Sequence, residues 1–159
     1  MTPAAPDSAP LPMLLLRAAA AYGSAMRAAL AAAGFHDLPR NGLHVIGGLG
    51  ARTQPCPLAE LIEQLRLSKQ AMGQLADALV VRDYLHREPD EADRRRLVVS
   101  LTDRGRAAAR VLTAARRSID AKLLEQAGAA DIERMRRTLA LLGNLGHTTH
   151  RNPGKGETS

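Results

Sequence analysis

Cysteine and aromatic residues are nearly absent from this sequence, and both shortages limit what the protein can be. Cys56 is the only cysteine among 159 residues, which excludes an internal disulfide and a thiolate-rich zinc site. There is no tryptophan, and Tyr22, Phe35 and Tyr84 are the only aromatic residues. The core must therefore be built from Leu, Val, Ile, Met and many alanines, a composition that favours closely packed helices over a β-sandwich.

Catalytic motifs are also missing. The sequence has no glycine-rich phosphate loop, no nucleophile elbow, no pair of carboxylates on a common face and no Cys/His ligand set. The glycine cluster at residues 47–50 has no strand before it, and among the five histidines only His147 and His150, in a polar tail, have a metal-like spacing. We therefore expect no enzyme, no cofactor and no metal site.

The apolar stretch from Leu11 to Ala33 is the one candidate for a signal or membrane segment. Arg17 and Arg27 interrupt it, no basic segment precedes it, and alanine contributes little to membrane insertion. We expect a cytoplasmic protein that has no membrane partner.

Basic residues exceed acidic ones. The 22 Lys and Arg residues against 16 Asp and Glu give a formal charge of +6 and a pI near 10.4. An anionic partner such as nucleic acid fits this balance, although charge alone does not identify it, because many basic proteins bind no nucleic acid.

Hydrophobic periodicity predicts a mainly α fold within one domain. After a leader at residues 1–10, expected to be disordered, a first helix runs from Leu11 to about Ala33 and ends at Gly34, and a second follows Pro39 to about Gly50. A long helix from Asp103 to about Gln126 ends at Gly128. The last helix has a 3-4-3 spacing of apolar residues, typical of a seam between helices, and a disordered tail is expected at 147–159. The seam consists of Ile132, Met135, Leu139 and Leu142.

The middle of the chain predicts a helix-turn-helix. Its first helix has an apolar face of Leu58, Leu61, Ile62 and Leu65, and Ser68 is a natural N-cap for its second helix. On that second helix the residues predicted to point inward are Ala71, Met72, Leu75, Ala76 and Leu79. The opposite, exposed face consists of Gln70, Gly73, Gln74 and Asp77, with Lys69 beside it in the first turn.

A hairpin with a cationic tip follows. Tyr84 to Arg87 can form its first strand, and Leu97, Val99 and Leu101 alternate with Arg96, Val98 and Ser100, the period of a half-buried strand. Between the strands lies an acidic loop that leads into Arg94, Arg95 and Arg96. Thr102 then supplies an N-cap oxygen for the long helix, and Asp103 places negative charge in its first turn.

This segment resembles the multiple-antibiotic-resistance regulator (MarR) family. Its pattern Asp-x-Arg-x-x-x-Val-x-Leu-Thr-x-x-Gly is matched by Asp93, Arg95, Val99, Leu101, Thr102 and Gly105. The resemblance implies a single domain over residues 11–146, with a winged helix-turn-helix at about 39–101 and a two- to three-stranded wing. It also implies that helices 11–34 and 102–146 form a dimerisation domain. The open alternative is a monomer whose terminal helices pack on each other.

The resemblance also assigns the contacts with double-stranded DNA. The second helix of the helix-turn-helix enters the major groove and the wing reaches the adjoining minor groove, and Asp93 is expected to hold Arg95 as a bidentate carboxylate partner. The alternative is that both surfaces are ordinary solvated protein surface. The predicted DNA-binding residues are Ser68, Lys69, Gln70, Gly73, Gln74, Arg94 and Arg95.

Two positions depart from the family pattern. Arg66 stands in the turn between the two helices and Asp83 before the first wing strand, where the family usually has glycine. If the backbone there has a positive φ, a non-glycine residue costs about 1 kcal/mol, although Asp tolerates it better than most residues. Arg66 is an alternative phosphate contact.

The function implied by the resemblance is a homodimeric repressor on a pseudo-palindromic operator, released from DNA by a small lipophilic or aromatic effector. His36, Arg40 and His44 would border a pocket for such a ligand, and each is equally well explained as a surface or capping residue. Two alternatives stay open. One is a redox-responsive regulator that uses Cys56, and the other is an architectural DNA-binding protein without an effector.

Overall fold

The computed structural model describes residues 8–148 and has six helices and three short strands over that range. In chain order the elements are α1 (Leu11–Ala32), α2 (Gly42–Leu49), β1 (Cys56–Pro57), α3 (Leu58–Leu65), α4 (Lys69–Val81), β2 (Leu85–Pro89), β3 (Leu97–Leu101), α5 (Asp103–Ala127) and α6 (Ala129–Thr148). The predicted mainly α fold with a winged helix-turn-helix is confirmed.

Helix ends follow the sequence signals. Gly34 and Gly128 adopt φ of +87° and +80° directly after α1 and α5, because only glycine enters this region without strain. The Thr102 hydroxyl accepts a hydrogen bond from the Gly105 amide at 2.9 Å, as expected of an N-cap. Helix α2 begins at Gly42, so it follows Pro39, which lies in the preceding turn.

The sheet has the order β1-β3-β2 and is antiparallel. Strand β2 pairs with β3 from Leu85 opposite Leu101 to Pro89 opposite Leu97. The wing was expected to have two or three strands, and the third strand is β1, in which Cys56 pairs with Val99 and Pro57 with Val98. Its position was not predicted, because a strand of two residues carries no period.

The third strand changes the burial pattern of β3. Val98 is buried although alternation predicts that it faces solvent, because β3 is the central strand and Val98 lies in a cleft with Pro55 and Pro57. Leu97 is 42% exposed although alternation predicts that it faces the core, because β1 is too short to reach it. The simple half-buried alternation is therefore wrong at these two positions.

The chain forms two compact units, and the boundary falls inside α5. Residues up to Arg117 form the first unit and residues from Ser118 form the second. The first unit holds the core, which includes Ile46, Leu61, Met72, Leu79, Tyr84 and Leu112. The predicted division into dimerisation helices and winged helix stays a prediction.

Close packing in the first unit depends on Gly105. A Cβ on this residue would lie 2.1 Å from the Tyr84 carbonyl oxygen, so the first turn of α5 packs directly on the backbone before β2. A side chain at this position is therefore incompatible with the observed packing.

The last helix extends into the predicted C-terminal tail. Helix α6 continues to Thr148, so His147 and Thr148, placed in the tail by sequence, are helical. The disorder expected for residues 1–7 and 149–159 lies outside the described residues. Among residues 8–148, no helix combines the length and apolar character needed to cross a membrane.

Candidate nucleic-acid interface

The N-terminus of α4 presents a polar face to solvent. The Ser68 hydroxyl oxygen caps the helix by accepting a hydrogen bond from the Ala71 amide at 3.1 Å. Lys69, Gln70 and Gln74 are exposed as predicted, whereas Met72, Ala76 and Leu79 are buried. Ala71 is also exposed, so its predicted inward orientation is wrong, since it lies one position outside the apolar stripe.

Gly73 lies in the middle of this face. A Cβ built on it meets no heavy atom within 4 Å, so the fold itself does not require glycine here. A glycine inside a helix costs about 0.5–1 kcal/mol relative to alanine, and no contact within residues 8–148 compensates for that cost.

Two non-glycine residues adopt the left-handed conformation and set the orientation of the neighbouring elements. Arg66, between α3 and α4, has φ of 50°, and Asp83, between α4 and β2, has φ of 60°. These are the two positions where the family pattern has glycine. The strain anticipated there is therefore present, on the order of 1 kcal/mol at each residue.

The hairpin tip is held by backbone interactions. The Asp90 amide donates to the Arg96 carbonyl oxygen at 2.9 Å, and the Arg96 amide donates to the Asp93 carbonyl oxygen at 2.8 Å. The Asp93 carboxylate accepts the Arg95 amide at 3.1 Å. Asp93 thus supports the wing by ordering its backbone, as Asp does in turns.

The predicted bidentate pair between Asp93 and Arg95 is not observed. None of the ion pairs within residues 8–148 joins these side chains, because the Asp93 oxygen is already directed to the backbone amide. Arg94, Arg95 and Arg96 are all exposed, and Arg96 precedes β3 rather than belonging to it. Three guanidinium groups therefore face solvent at one hairpin tip.

An ion pair connects this hairpin to α4. Nη1 of Arg87, on β2, lies 2.6 Å from Oδ1 of Asp77, on the exposed face of α4. Both side chains are partly exposed, so the pair contributes little to stability, about 0–1 kcal/mol. It does hold the strand that leads to the hairpin tip beside the polar face of α4. The sequence did not indicate this pair.

A second polar group joins the first turn of α5 to the end of α4. The Tyr84 hydroxyl donates to Oδ1 of Asp37 at 2.7 Å, and Nη2 of Arg104 donates to the same oxygen at 2.8 Å. The Arg104 guanidinium also stacks over the Tyr84 ring, 4.5 Å from its centroid, and Nη1 donates to the Arg82 carbonyl oxygen at 2.7 Å. This arrangement fixes β2, α5 and the loop before α2 relative to one another.

The pKa values in this group follow from its contacts. The hydrogen bond from Tyr84 is the main cause that lowers the pKa of Asp37. Desolvation opposes it, and a backbone hydrogen bond and then the charge and hydrogen bond of Arg104 lower this pKa further. Burial, followed by the hydrogen bond to Asp37, raises the pKa of Tyr84 to about 12. Asp37 is therefore ionised and Tyr84 neutral at neutral pH, the charge states that this hydrogen bond needs.

Cys56 is buried in β1 with its sulfur 3.8 Å from Oε2 of Glu60. Burial raises the pKa of the thiol, and the nearby Arg52 guanidinium opposes this only in part because it is paired with Glu60. A reactive cysteine needs the opposite, a lowered pKa and an exposed sulfur.

The three weak candidates for ligand contact are all exposed. His44 lines a cavity of about 200 Å³ together with Asn41, Leu65 and Leu67, whereas His36 and Arg40 lie on the loop before α2. Within the described part of the chain, no group of three or more His, Cys, Asp or Glu residues is arranged to hold a metal ion.

Part of this unit is similar to a known protein family. The MarR family model matches residues 36–96, which include α2, the helix-turn-helix and the hairpin up to its tip. The comparison with curated protein sequences gives no match.

Solved structures share the fold over most of the chain. FabT of Streptococcus pneumoniae, solved in complex with DNA, is 18% identical with a TM-score of 0.73, over 87% of this chain and 96% of its own. MepR of S. aureus, in a complex with DNA, is 18% identical with a TM-score of 0.73, over 86% and 98%. A probable transcriptional regulator of Pseudomonas aeruginosa is 25% identical with a TM-score of 0.61, over 83% and 96%. The MarR family model therefore shows a similarity over residues 36–96, and the solved structures show that most of the chain has the same winged helix-turn-helix fold as these proteins.

Proposed function

We propose that this protein is a sequence-specific, DNA-binding transcriptional regulator that acts as a homodimer. The observation that carries the proposal is the pairing of two exposed polar surfaces within one compact unit. The first is the N-terminal face of α4 and the second is the arginine tip of the β2–β3 hairpin. The Arg87–Asp77 ion pair links the elements that bear them.

The face of α4 has the side chains that read bases in a major groove. The Gln70 and Gln74 amides can pair with adenine N6 and N7, and the Lys69 ammonium can reach guanine or a phosphate. Ser68 caps the helix, so the first-turn amides not bonded to it are directed towards an approaching phosphate. Gly73 allows the helix to approach the DNA closely.

The hairpin tip has the charge that a minor groove attracts. The guanidinium groups of Arg94 and Arg95 are exposed and not paired with the neighbouring Asp93. A narrow A·T-rich groove concentrates negative potential, so an inserted arginine gains affinity there with little base recognition. We assign this role to Arg95 first, with Arg94 beside it.

Exposed apolar side chains on α6 support the homodimer. Met135, Leu139 and Leu142 follow the 3-4-3 spacing of the predicted seam and are 42%, 40% and 39% exposed in the single chain. An apolar stripe of this kind is a liability unless a second surface covers it. A two-fold dimer places its α4 helices about one helical turn apart, roughly 10 bp, on a pseudo-palindromic site.

The solved relatives support DNA as the partner. FabT and MepR, which share this fold, were both solved bound to DNA. On the same family grounds we propose repression that is released by a small lipophilic or aromatic ligand. His44 beside its cavity is the best placed of the three weak candidates.

Of the two alternative functions, only the redox-responsive regulator conflicts with the geometry of the protein. A redox-responsive regulator is disfavoured, because Cys56 is buried and its pKa is raised. An architectural DNA-binding protein would use the same surfaces, and only the pattern of protection on DNA distinguishes it.

Footprinting on the promoter region of the protein's own gene tests the proposal. A regulator protects a pseudo-palindrome, and protection decreases when the right aromatic acid is added. An architectural protein protects DNA broadly. Gln74→Ala is expected to lose about 1–3 kcal/mol on the best sequence and to relax the preference at one position of each half-site.

Gln126→Ala is the matched control, since Gln126 is exposed on α5 in the second unit. If Gln74→Ala weakens every sequence equally, Gln74 does not read bases. If the wild type binds no duplex above background, the proposed function is wrong.

A further inference from the structure

The turn between α3 and α4 has an arginine where its geometry favours glycine. Arg66 is the left-handed residue that ends α3, with φ of 50° and ψ of 38°. The Leu67 amide donates to the Ile62 carbonyl oxygen at 3.3 Å and closes the helix end. This closure sets a positive φ whatever the residue, and glycine adopts that φ without strain. The turn therefore explains the conformation at position 66 but not the choice of arginine.

Core packing does not explain the arginine either. Leu65 and Leu67, on either side of Arg66, are half-buried and pack against the core. The Arg66 side chain is exposed and lies outside that core. A substitution at this position therefore leaves the core intact, and the guanidinium group lies where a partner in solution can reach it.

Position 66 lies directly before the end of α4 that is proposed to enter the major groove. Arg66 precedes the N-cap Ser68 by two residues, so their Cα atoms are at most about 7 Å apart. Lys69 is exposed in the first turn of α4, and that turn has no acidic residue. The first turn is therefore positively charged, and the helix dipole adds to this charge.

The second strained position carries the opposite charge at the opposite end of the helix. Asp83, with φ of 60°, follows α4, whose 13 residues span about 20 Å. An arginine thus precedes the end of α4 that faces DNA in the proposed function, and a carboxylate follows the far end. This distribution fits a phosphate close to position 66 and none close to position 83.

A phosphate is the DNA group that suits Arg66. The major groove is about 12 Å wide and phosphates line both of its edges, so a residue just outside the inserted helix meets the backbone before it meets the bases. A guanidinium group binds phosphate oxygens as a bidentate pair. We propose that Arg66 binds a DNA phosphate at the edge of the groove that α4 enters, an inference that rests on the proposed function.

The test compares Arg66→Gly with the wild type in urea denaturation and in DNA binding, both with the full chain. Relief of the strained φ should exceed the extra chain entropy of glycine and raise the urea midpoint. Loss of the guanidinium group should weaken binding to specific and random duplexes alike, by about tenfold at low salt. The slope of log affinity against log salt concentration should fall by about two for a dimer, because each protomer loses one phosphate contact. Higher stability with weaker binding is the result that a purely structural role would not give.

Three further variants separate the charge from the backbone conformation. Arg66→Asn tolerates the left-handed φ without a charge and should lose the same salt slope, whereas Arg66→Lys should keep most of it. Asp83→Gly relieves the strain at the other end of α4 and should raise the urea midpoint without lowering the slope. Arg116→Asn makes the same charge change at an exposed position of α5 and should leave the slope unchanged.

Wild-type affinity and salt slope in Arg66→Gly and Arg66→Asn would overturn the phosphate contact. Equal losses in Arg116→Asn would indicate general charge attraction and would also overturn it. So would weak binding in Arg66→Gly with normal binding in Arg66→Asn, because the flexible turn and not the missing charge would then be the cause.

The proposed function is judged separately, on the wild type. A wild type that binds no duplex above background rejects the proposed function and this inference with it. A wild type that binds a specific duplex, with a salt slope that the Arg66 variants share, rejects this inference alone.

Discussion

Gly73 lowers the stability of this protein in a way that the isolated fold does not explain. It lies in the middle of α4, where no atom of the residues that the structure describes lies within 4 Å of a Cβ, so alanine is permitted and has the better helix propensity. Arg66 and Asp83 differ from Gly73, because the fold requires their strained backbone conformation to turn the chain on either side of α4. The fold explains the cost at Arg66 and Asp83, whereas the cost at Gly73 would be explained by the proposed approach of DNA to α4.

Gly73→Ala is therefore expected to stabilise the protein and weaken DNA binding. Urea denaturation should show a free energy of unfolding that is higher by about 0.5–1 kcal/mol. Gly48→Ala is the matched control, because Gly48 is also helical, exposed and free of contacts within 4 Å of a Cβ. It should stabilise the protein without changing its affinity for DNA. Unchanged DNA affinity in Gly73→Ala would leave the glycine without a role in binding.

Arg95→Ala is expected to weaken binding to specific and random duplexes alike. Each wing arginine that enters the minor groove releases about one counterion, so the salt slope of the dimer should fall by about two. The loss should be larger where A·T-rich sequence flanks the site. Arg95→Lys should recover part of the affinity, because an ammonium is more strongly hydrated than a guanidinium group.

Arg116→Ala is the control for Arg95→Ala, since Arg116 is an exposed arginine on α5. The thermal stability of Arg95→Ala should match that of the wild type, because the hairpin tip contributes nothing to the core. Wild-type affinity with an unchanged salt slope in Arg95→Ala would show that the hairpin does not touch DNA.

At the scale of elements, the junction of α5 with the winged helix depends on a few polar contacts. The buried Thr102 hydroxyl accepts the Gly105 amide and donates to the Asp83 carbonyl oxygen at 2.5 Å. This one side chain thus caps α5 and holds the strained residue that follows α4. The Asp37–Tyr84–Arg104 contacts add a second connection between the same elements.

Thr102→Val keeps the shape of this side chain and removes both hydrogen bonds. We expect a loss of about 2–3 kcal/mol in the free energy of unfolding, because an N-cap is lost and a buried carbonyl is left without its donor. Thr102→Ser keeps the hydroxyl and should cost less than half as much. Urea denaturation measures both variants. Equal losses in the two would mean that the hydroxyl contributes nothing beyond packing.

At the scale of the whole molecule, the second compact unit, which begins at Ser118, has few buried side chains among its described residues. Helix α6 leaves Leu141 and Leu145 66% exposed in addition to its 3-4-3 stripe. A helix of this composition does not stay exposed in a stable protein, and a second copy of the chain is the partner that the family resemblance implies.

Leu139→Lys is expected to convert the dimer to a monomer and to reduce DNA binding with it, because a lysine at the seam would be buried without a partner. Light scattering at micromolar concentration measures the mass. Ala140→Lys is the control, since Ala140 is exposed on α6 but lies outside the 3-4-3 stripe. A monomeric wild type, both free and on DNA, would contradict the homodimer.

The sequence alone determined the helices, the β2–β3 hairpin, the caps and the two strained positions, whereas the tertiary structure decided which distant side chains meet. Helical periodicity acts over about four residues, and so do the caps at Ser68 and Thr102 and the glycines after α1 and α5. These features can therefore be predicted from the sequence. Packing between separate elements decides the position of strand β1, the burial of Val98 and the Arg87–Asp77 ion pair. Arg104 and Asp37, for example, are 67 residues apart. Such contacts form only when the core fixes the elements in space, and no local pattern specifies them.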